Sequence, residues 1–101
     1  MPTFVMLTRV APEVLRTPHS LEELEKRAAE AIQTQCPEVK WVSNYAVLGP
    51  YDYVDIFEAP DNETAAKVST LIRTQGRAHS EIWPATDWKK FKAMLQSMPK
   101  G

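Results

Sequence analysis

The chain has 101 residues, 44% hydrophobic and 25% charged, with a formal net charge of −1 from 12 basic and 13 acidic side chains. That length suits one domain, and the composition is that of a globular protein, which excludes collagen-like and globally disordered classes. The near-balance of charge argues against a polyanionic partner, because phosphate binding needs clustered Lys and Arg.

In chain order, Thr3 to Arg9 (TFVMLTR) is a short apolar run of β-formers bounded by Pro12, and reads as a first strand. Ala11 to His19, with Pro12 and Pro18, reads as a loop. Ser20 opens a helix, with Glu23 at the capping-box spacing. Leu21, Leu24, Ala28, Ala31 and Ile32 recur on one helical face, while Glu22 with Lys26 and Glu23 with Arg27 are spaced for i,i+4 ion pairs. Pro37 stops the helix near Cys36.

Val39 to Leu48 is a second strand and Tyr51 to Ala59 a third, joined through Gly49-Pro50 as a hairpin. Asp61 is an N-cap for a second helix that turns Ala65, Val68, Leu71 and Ile72 inward, and Gly76 stands where a helix C-terminus favours a left-handed residue. Ala78 to Trp83 is a fourth strand closed by Pro84; Thr86 caps a last helix with Trp88, Phe91, Leu95 and Met98 along one stripe. The expected fold class is therefore α+β: a ferredoxin-like βαββαβ unit with a four-stranded antiparallel sheet, as one domain over residues 1–101, plus a C-terminal helix.

Gly49-Pro50-Tyr51-Asp52 fits the Gly-x-Tyr-Asp signature, followed by Phe57-Glu58-Ala59-Pro60-Asp61, the paired Ala65-Ala66, Gly76 and Ser80-Glu81. In these residues the chain resembles the GYD domain family. The resemblance implies a small prokaryotic domain akin to the dimeric α+β barrel group, and it implies no assigned activity. His79 stands where many members carry Arg, and Pro84 is an added stop.

Side chains alternate along a strand. In the third strand Val54 and Ile56 share a face with Asp52 and Glu58, while Tyr51, Tyr53, Asp55, Phe57 and Ala59 share the other. In the second strand Trp41, Tyr45 and Val47 share one face; Val42, Ala46 and Leu48 share the other. Two helices of a βαββαβ unit cover only one side of the sheet. The small branched residues are assigned to that side, which leaves Tyr45, Tyr53 and Phe57 as interface residues of a homodimer or larger homo-oligomer. The competing cover is the terminal helix folded back over the same face.

A small, partly apolar molecule is the expected ligand, with Tyr51, Asp52, Asp55, His79 and Glu81 as its candidate contacts. Desolvation among aromatic rings would raise the Asp55 carboxyl pKa and fit it for acid–base chemistry; the structural alternative is an ion pair with Arg9 or Lys40. For Asp52 the structural alternative is to cap backbone amides of the hairpin, and for His79 and Glu81 it is to face solvent. Whether the chain is an enzyme is left open, and a purely structural or regulatory oligomerisation module is the alternative role.

Other partners are disfavoured. Tyr51 to Ile56 resembles the base-stacking strand of an RNA recognition motif, but Asp52 and Asp55 place negative charge there and no nucleic acid is expected. The Trp88-Lys89-Lys90-Phe91-Lys92 stretch reads as a solvated helix face rather than a lipid anchor, and no apolar run approaches the ~20 residues of a membrane span. MPTFVML lacks the basic region of a signal peptide. The one cysteine, Cys36, cannot form an internal disulfide, which favours a reducing, cytoplasmic setting. No ligand-spaced metal motif occurs, so neither metal nor cofactor is expected.

Overall fold

The computed structural model describes residues 1–12 and 17–100. Along the chain run β1 (Thr3–Val10), α1 (Pro18–Gln35), β2 (Lys40–Ala46), β3 (Tyr53–Glu58), α2 (Asn62–Gln75), β4 (Ala78–Ala85) and α3 (Trp88–Ser97). The four strands form one antiparallel sheet in the order β2-β3-β1-β4. This is the expected ferredoxin-like arrangement with an added terminal helix. Residues 13–16 of the expected loop lie outside the described residues.

Element ends differ from expectation in ways that local chemistry explains. α1 begins before Ser20: Thr17 is the N-cap, its side chain accepts from the Ser20 amide, and Pro18 occupies the first turn, where its missing N–H costs nothing. Neither i,i+4 pair on α1 closes, which suits solvated side chains whose pairing is worth little. Pro84 lies inside β4, opposite Phe4, because β4 is an edge strand and its outer side needs no donor. Asp87, not Thr86, caps α3 through the Lys89 amide. Asp61 does cap α2, accepting from the Thr64 amide at 2.8 Å.

Gly76 departs from the left-handed expectation. Its φ is −90°, and the positive φ of 50° falls on Arg77 instead. Gly76 is needed for space: a Cβ there would stand 2.7 Å from the Ile72 carbonyl oxygen.

The core lies between the sheet and the two long helices. Phe4, Met6 and Phe57 from the strands meet Ile32 and Cys36 of the α1 end, and Ala65, Val68 and Leu71 of α2. Phe57 is fully buried, with its ring 5.6 Å from Phe4 and 5.5 Å from Trp41 between centroids. This reverses the expected assignment of strand faces. Tyr53, Asp55 and Phe57 point toward the helices, and Val54 and Ile56 lie on the open side. Phe57 is thus part of the chain's own core, not a residue left over for a partner. The physical reason is side-chain size on the helices: Ala65 and Val68 are small, so the space under them takes large rings from the sheet.

A register shift between Trp41 and Ser43 splits a second pair expected together. Trp41 sits opposite Phe57 on the helix side, whereas Tyr45 sits opposite Val54 on the open side.

The open side carries Val5, Leu7, Val54, Ile56 and Trp83. The terminal helix does not cover it. Among the described residues α3 buries none and makes no substantial contact with any other element, and Trp88, Phe91, Met94 and Leu95 stand exposed along it. The molecule is accordingly long, 56 × 30 × 17 Å, with a radius of gyration of 15.8 Å, where a compact chain of this length has about 13 Å.

Candidate functional site

The five candidate contacts fall on opposite faces of the sheet. On the open face, Glu81 gathers three donors. The Tyr51 hydroxyl donates to its Oε2 at 2.5 Å, the Trp83 indole donates to Oε1 at 3.3 Å, and the His79 ring nitrogen lies 3.4 Å from Oε2. Strand periodicity aligns His79, Glu81 and Trp83 on β4, and the turn before β3 brings Tyr51 over them. These donors, Tyr51 first, hold the Glu81 carboxyl below its usual range, while the same bond holds the Tyr51 hydroxyl above its own. Glu81 is therefore a carboxylate anchored by its own chain.

Asp52 binds backbone, as its structural alternative held, but not in its own hairpin. Its Oδ2 accepts the Val10 amide at 2.8 Å, its amide donates to the Thr8 carbonyl, and its carbonyl accepts from Val47. The Tyr-Asp of the signature thus ties the hairpin to the end of β1.

Asp55 lies alone on the helix side. The Asn44 amide group donates to its Oδ1 at 2.7 Å; the expected ion pair with Arg9 or Lys40 is not formed. Burial raises its carboxyl above the ordinary range, Asn44 opposes that, and the charge of Glu25 adds to it. Burial and the neighbouring acids Asp52, Glu25 and Asp55 likewise raise the Tyr53 hydroxyl.

Asp55 and Tyr53 border a cleft of about 450 Å³ between α1 and the sheet, whose walls include Met6, Thr8, Leu24, Ala28 and Trp41. The cleft follows from how the helices pack. α2 lies on β4 and α1 lies against α2, so α1 stands off from β2 and β3. On the α2 side buried polar groups are matched: Ser69 donates to Ser80 at 3.0 Å, and Arg73 donates to the Ser80 carbonyl at 2.7 Å. On the cleft side Thr8 is 5% exposed and its hydroxyl has no hydrogen-bond partner among the described residues. Periodicity could not single out Thr8, which reads as one more β-former in an apolar strand; its burial beside a space does. Among the described residues no group of three metal-ligating side chains occurs, and no helix is long and apolar enough to cross a membrane.

The GYD domain model matches residues 4–95, so the chain belongs to the GYD domain family. It is 31% identical over 80 residues, 75% of this chain and 79% of the other, to the glutamine synthetase and cystathionine beta-lyase binding protein of Thermus thermophilus. Among solved structures it superimposes on a Thermus thermophilus protein with a TM-score of 0.56 and 26% identity, covering 86% of this chain and 95% of that one. It also superimposes on the leucine response regulatory protein of Mycobacterium tuberculosis with a TM-score of 0.56 and 17% identity, covering 85% of this chain but only 51% of the regulator, a likeness of fold.

Proposed function

We propose that this member of the GYD domain family is a small homo-oligomeric binding module of the cytoplasm that holds a small, partly apolar molecule in the cleft beside α1. The observation that carries the reading is the pair of uncovered apolar surfaces on one chain. The open sheet face bears the exposed Tyr45, the half-exposed Trp83 and the partly exposed Ile56, and α3 bears an exposed stripe that its own chain does not cover. A second copy offers both surfaces their complement, sheet to sheet with each α3 laid on the partner. The interface residues then become Tyr45, Ile56 and Trp83, with the Tyr51–Glu81 cluster at its rim.

The cleft supports the ligand part of the reading. Its volume is in the range of small-molecule sites, and it is mostly apolar with few polar groups. Asp55 is the group there whose raised pKa suits proton transfer, should the bound molecule react. Native mass spectrometry of the protein purified from its own organism tests both parts: a multiple of the chain mass with a bound small molecule supports the reading, and a bare monomer under gentle conditions refutes it.

A second reading is a module that docks on enzymes, as the name of the Thermus thermophilus relative says of that protein. The exposed α3 stripe favours it, because an apolar helix face fits a groove on another protein. A pull-down in which α3 is the segment required for capture, by a chain that is itself monomeric, would favour it over the first.

A further inference from the structure

We infer that the cleft beside α1 is built for a small organic amine: an ammonium head held by Asp55 and Thr8, with an apolar body lying along α1. This rests on the small-molecule reading above and names its ligand class.

The charge lining the cleft is of one sign. Glu25 and Asp55 border it, and no Lys, Arg or His does among the described residues. A ligand carboxylate or phosphate would meet two acids and no counter-charge, whereas a cation would meet both. Two polar groups of the wall have unfilled lone pairs. Asp55 has one oxygen occupied by Asn44 and its charge unpaired, and the buried Thr8 hydroxyl, which can accept as well as donate, has no partner among the described residues. An ammonium offers three donors, which fill the lone pairs of both groups at once and neutralise the Asp55 charge.

The spacing agrees. Thr8 pairs with Tyr53 across the β1–β3 ladder, and Asp55 lies two residues along on the same face. Such diagonal neighbours lie about 7–8 Å apart, with their Cβ atoms somewhat closer. One nitrogen at about 2.9 Å from each oxygen spans what remains after the two side chains reach inward. Tyr53 and Trp41 supply aromatic surface beside that position, which favours a cation further. Beyond the head, Leu24, Ala28 and Met6 offer only apolar contact.

The test uses the whole protein, isotope-labelled and followed by amide NMR, with phenethylamine as probe. The matched-shape alcohol 2-phenylethanol and the carboxylate 3-phenylpropanoate serve as competitors. The amine should shift the Thr8, Asn44 and Asp55 amides saturably and bind roughly tenfold or more tightly than the alcohol, as expected of a hydrogen bond to a charged group; the carboxylate should not bind. Asp55→Asn should weaken the amine by about tenfold, and Thr8→Val should weaken it without touching the charge. Glu30→Gln, an equal charge change on the exposed side of α1, should leave binding unaltered. Dispersed spectra of each variant show that it is folded.

An alcohol or carboxylate that binds as tightly in the cleft overturns the amine assignment and leaves the small-molecule reading standing. Saturable amine shifts confined to the open face overturn it too. No saturable shift by any probe at millimolar concentration overturns it as well. If the protein from its own organism also carries no ligand, the broader reading falls with it.

Discussion

Phe57 and Ile56 are adjacent in β3 and should fail in different ways. Phe57 is fully buried between Phe4 and Trp41, at ring distances of 5.6 and 5.5 Å. Phe57→Leu keeps it apolar but removes both ring contacts, each worth about 0.5–1.5 kcal/mol, and leaves part of the ring volume empty. Together these should cost about 2–4 kcal/mol, which lowers the melting temperature by roughly 10–30 °C for a domain of this size. The association constant between copies should change little. Ile56→Asp does the reverse. It places a carboxylate at the centre of the open face, where burial against a partner costs several kcal/mol and weakens association by at least roughly hundredfold. Thermal unfolding by circular dichroism and sedimentation of both variants, run at matched concentration, separate the effects. If Phe57→Leu dissociates the oligomer while the free chain keeps its stability, the assignment of strand faces is wrong.

Gly76→Ala should destabilise by about 1–3 kcal/mol, since its Cβ meets backbone at 2.7 Å from the Ile72 oxygen rather than a side chain that can move; the urea midpoint reads this, and an unchanged midpoint would show that the α2 end relaxes freely. Asp61→Ala should lower the melting temperature at neutral pH. The Thr64 amide holds the folded Asp61 carboxyl below its ordinary value, so its contribution is present above the ordinary carboxylate pKa and is lost as pH falls through the depressed folded value; a deficit that persists at the acid end would contradict the capping role. Tyr51→Phe removes the largest of the donors on Glu81, and the Glu81 carboxyl should then titrate at higher pH in a carbon-detected NMR titration. An unmoved Glu81 would show that His79 and Trp83 suffice to anchor it.

The order of elements was legible because each helix and strand carries its own period and its own stops. Asp61 capped as read, and β2 and β3 do form a hairpin around Gly49-Pro50, though through residues 47–52 rather than a tight two-residue turn. The face assignment was not legible from the third strand alone. Val54-Asp55-Ile56-Phe57 is apolar on both sides, and alternation says which residues share a face but not which face meets the helices. The helices decide it, through the small Ala65 and Val68 that leave room for Phe57 and Phe4. Trp41 and Tyr45 were parted by a register shift in β2, which strict alternation does not anticipate.

The candidate site was legible in part for a related reason. Asp55 was found by its residue type among aromatics, and its raised pKa follows from burial as expected. His79 and Glu81 share a strand face as read, and Tyr51, read on the Asp55 face, joins them instead on the far side of the sheet from Asp55. Thr8 carries no chemistry in sequence. It becomes notable only because α1 stands off the sheet and leaves its hydroxyl without a partner.

The account stands most directly on assembly. Sedimentation equilibrium of the unmutated chain at tens of micromolar should give the mass of a dimer or a larger closed oligomer. A chain ending at Asp87, which lacks the α3 stripe, should associate more weakly under the same conditions. If the unmutated chain instead runs with the mass of a single copy, the open sheet face and α3 do not meet a second copy, and the proposal of a homo-oligomeric module is wrong.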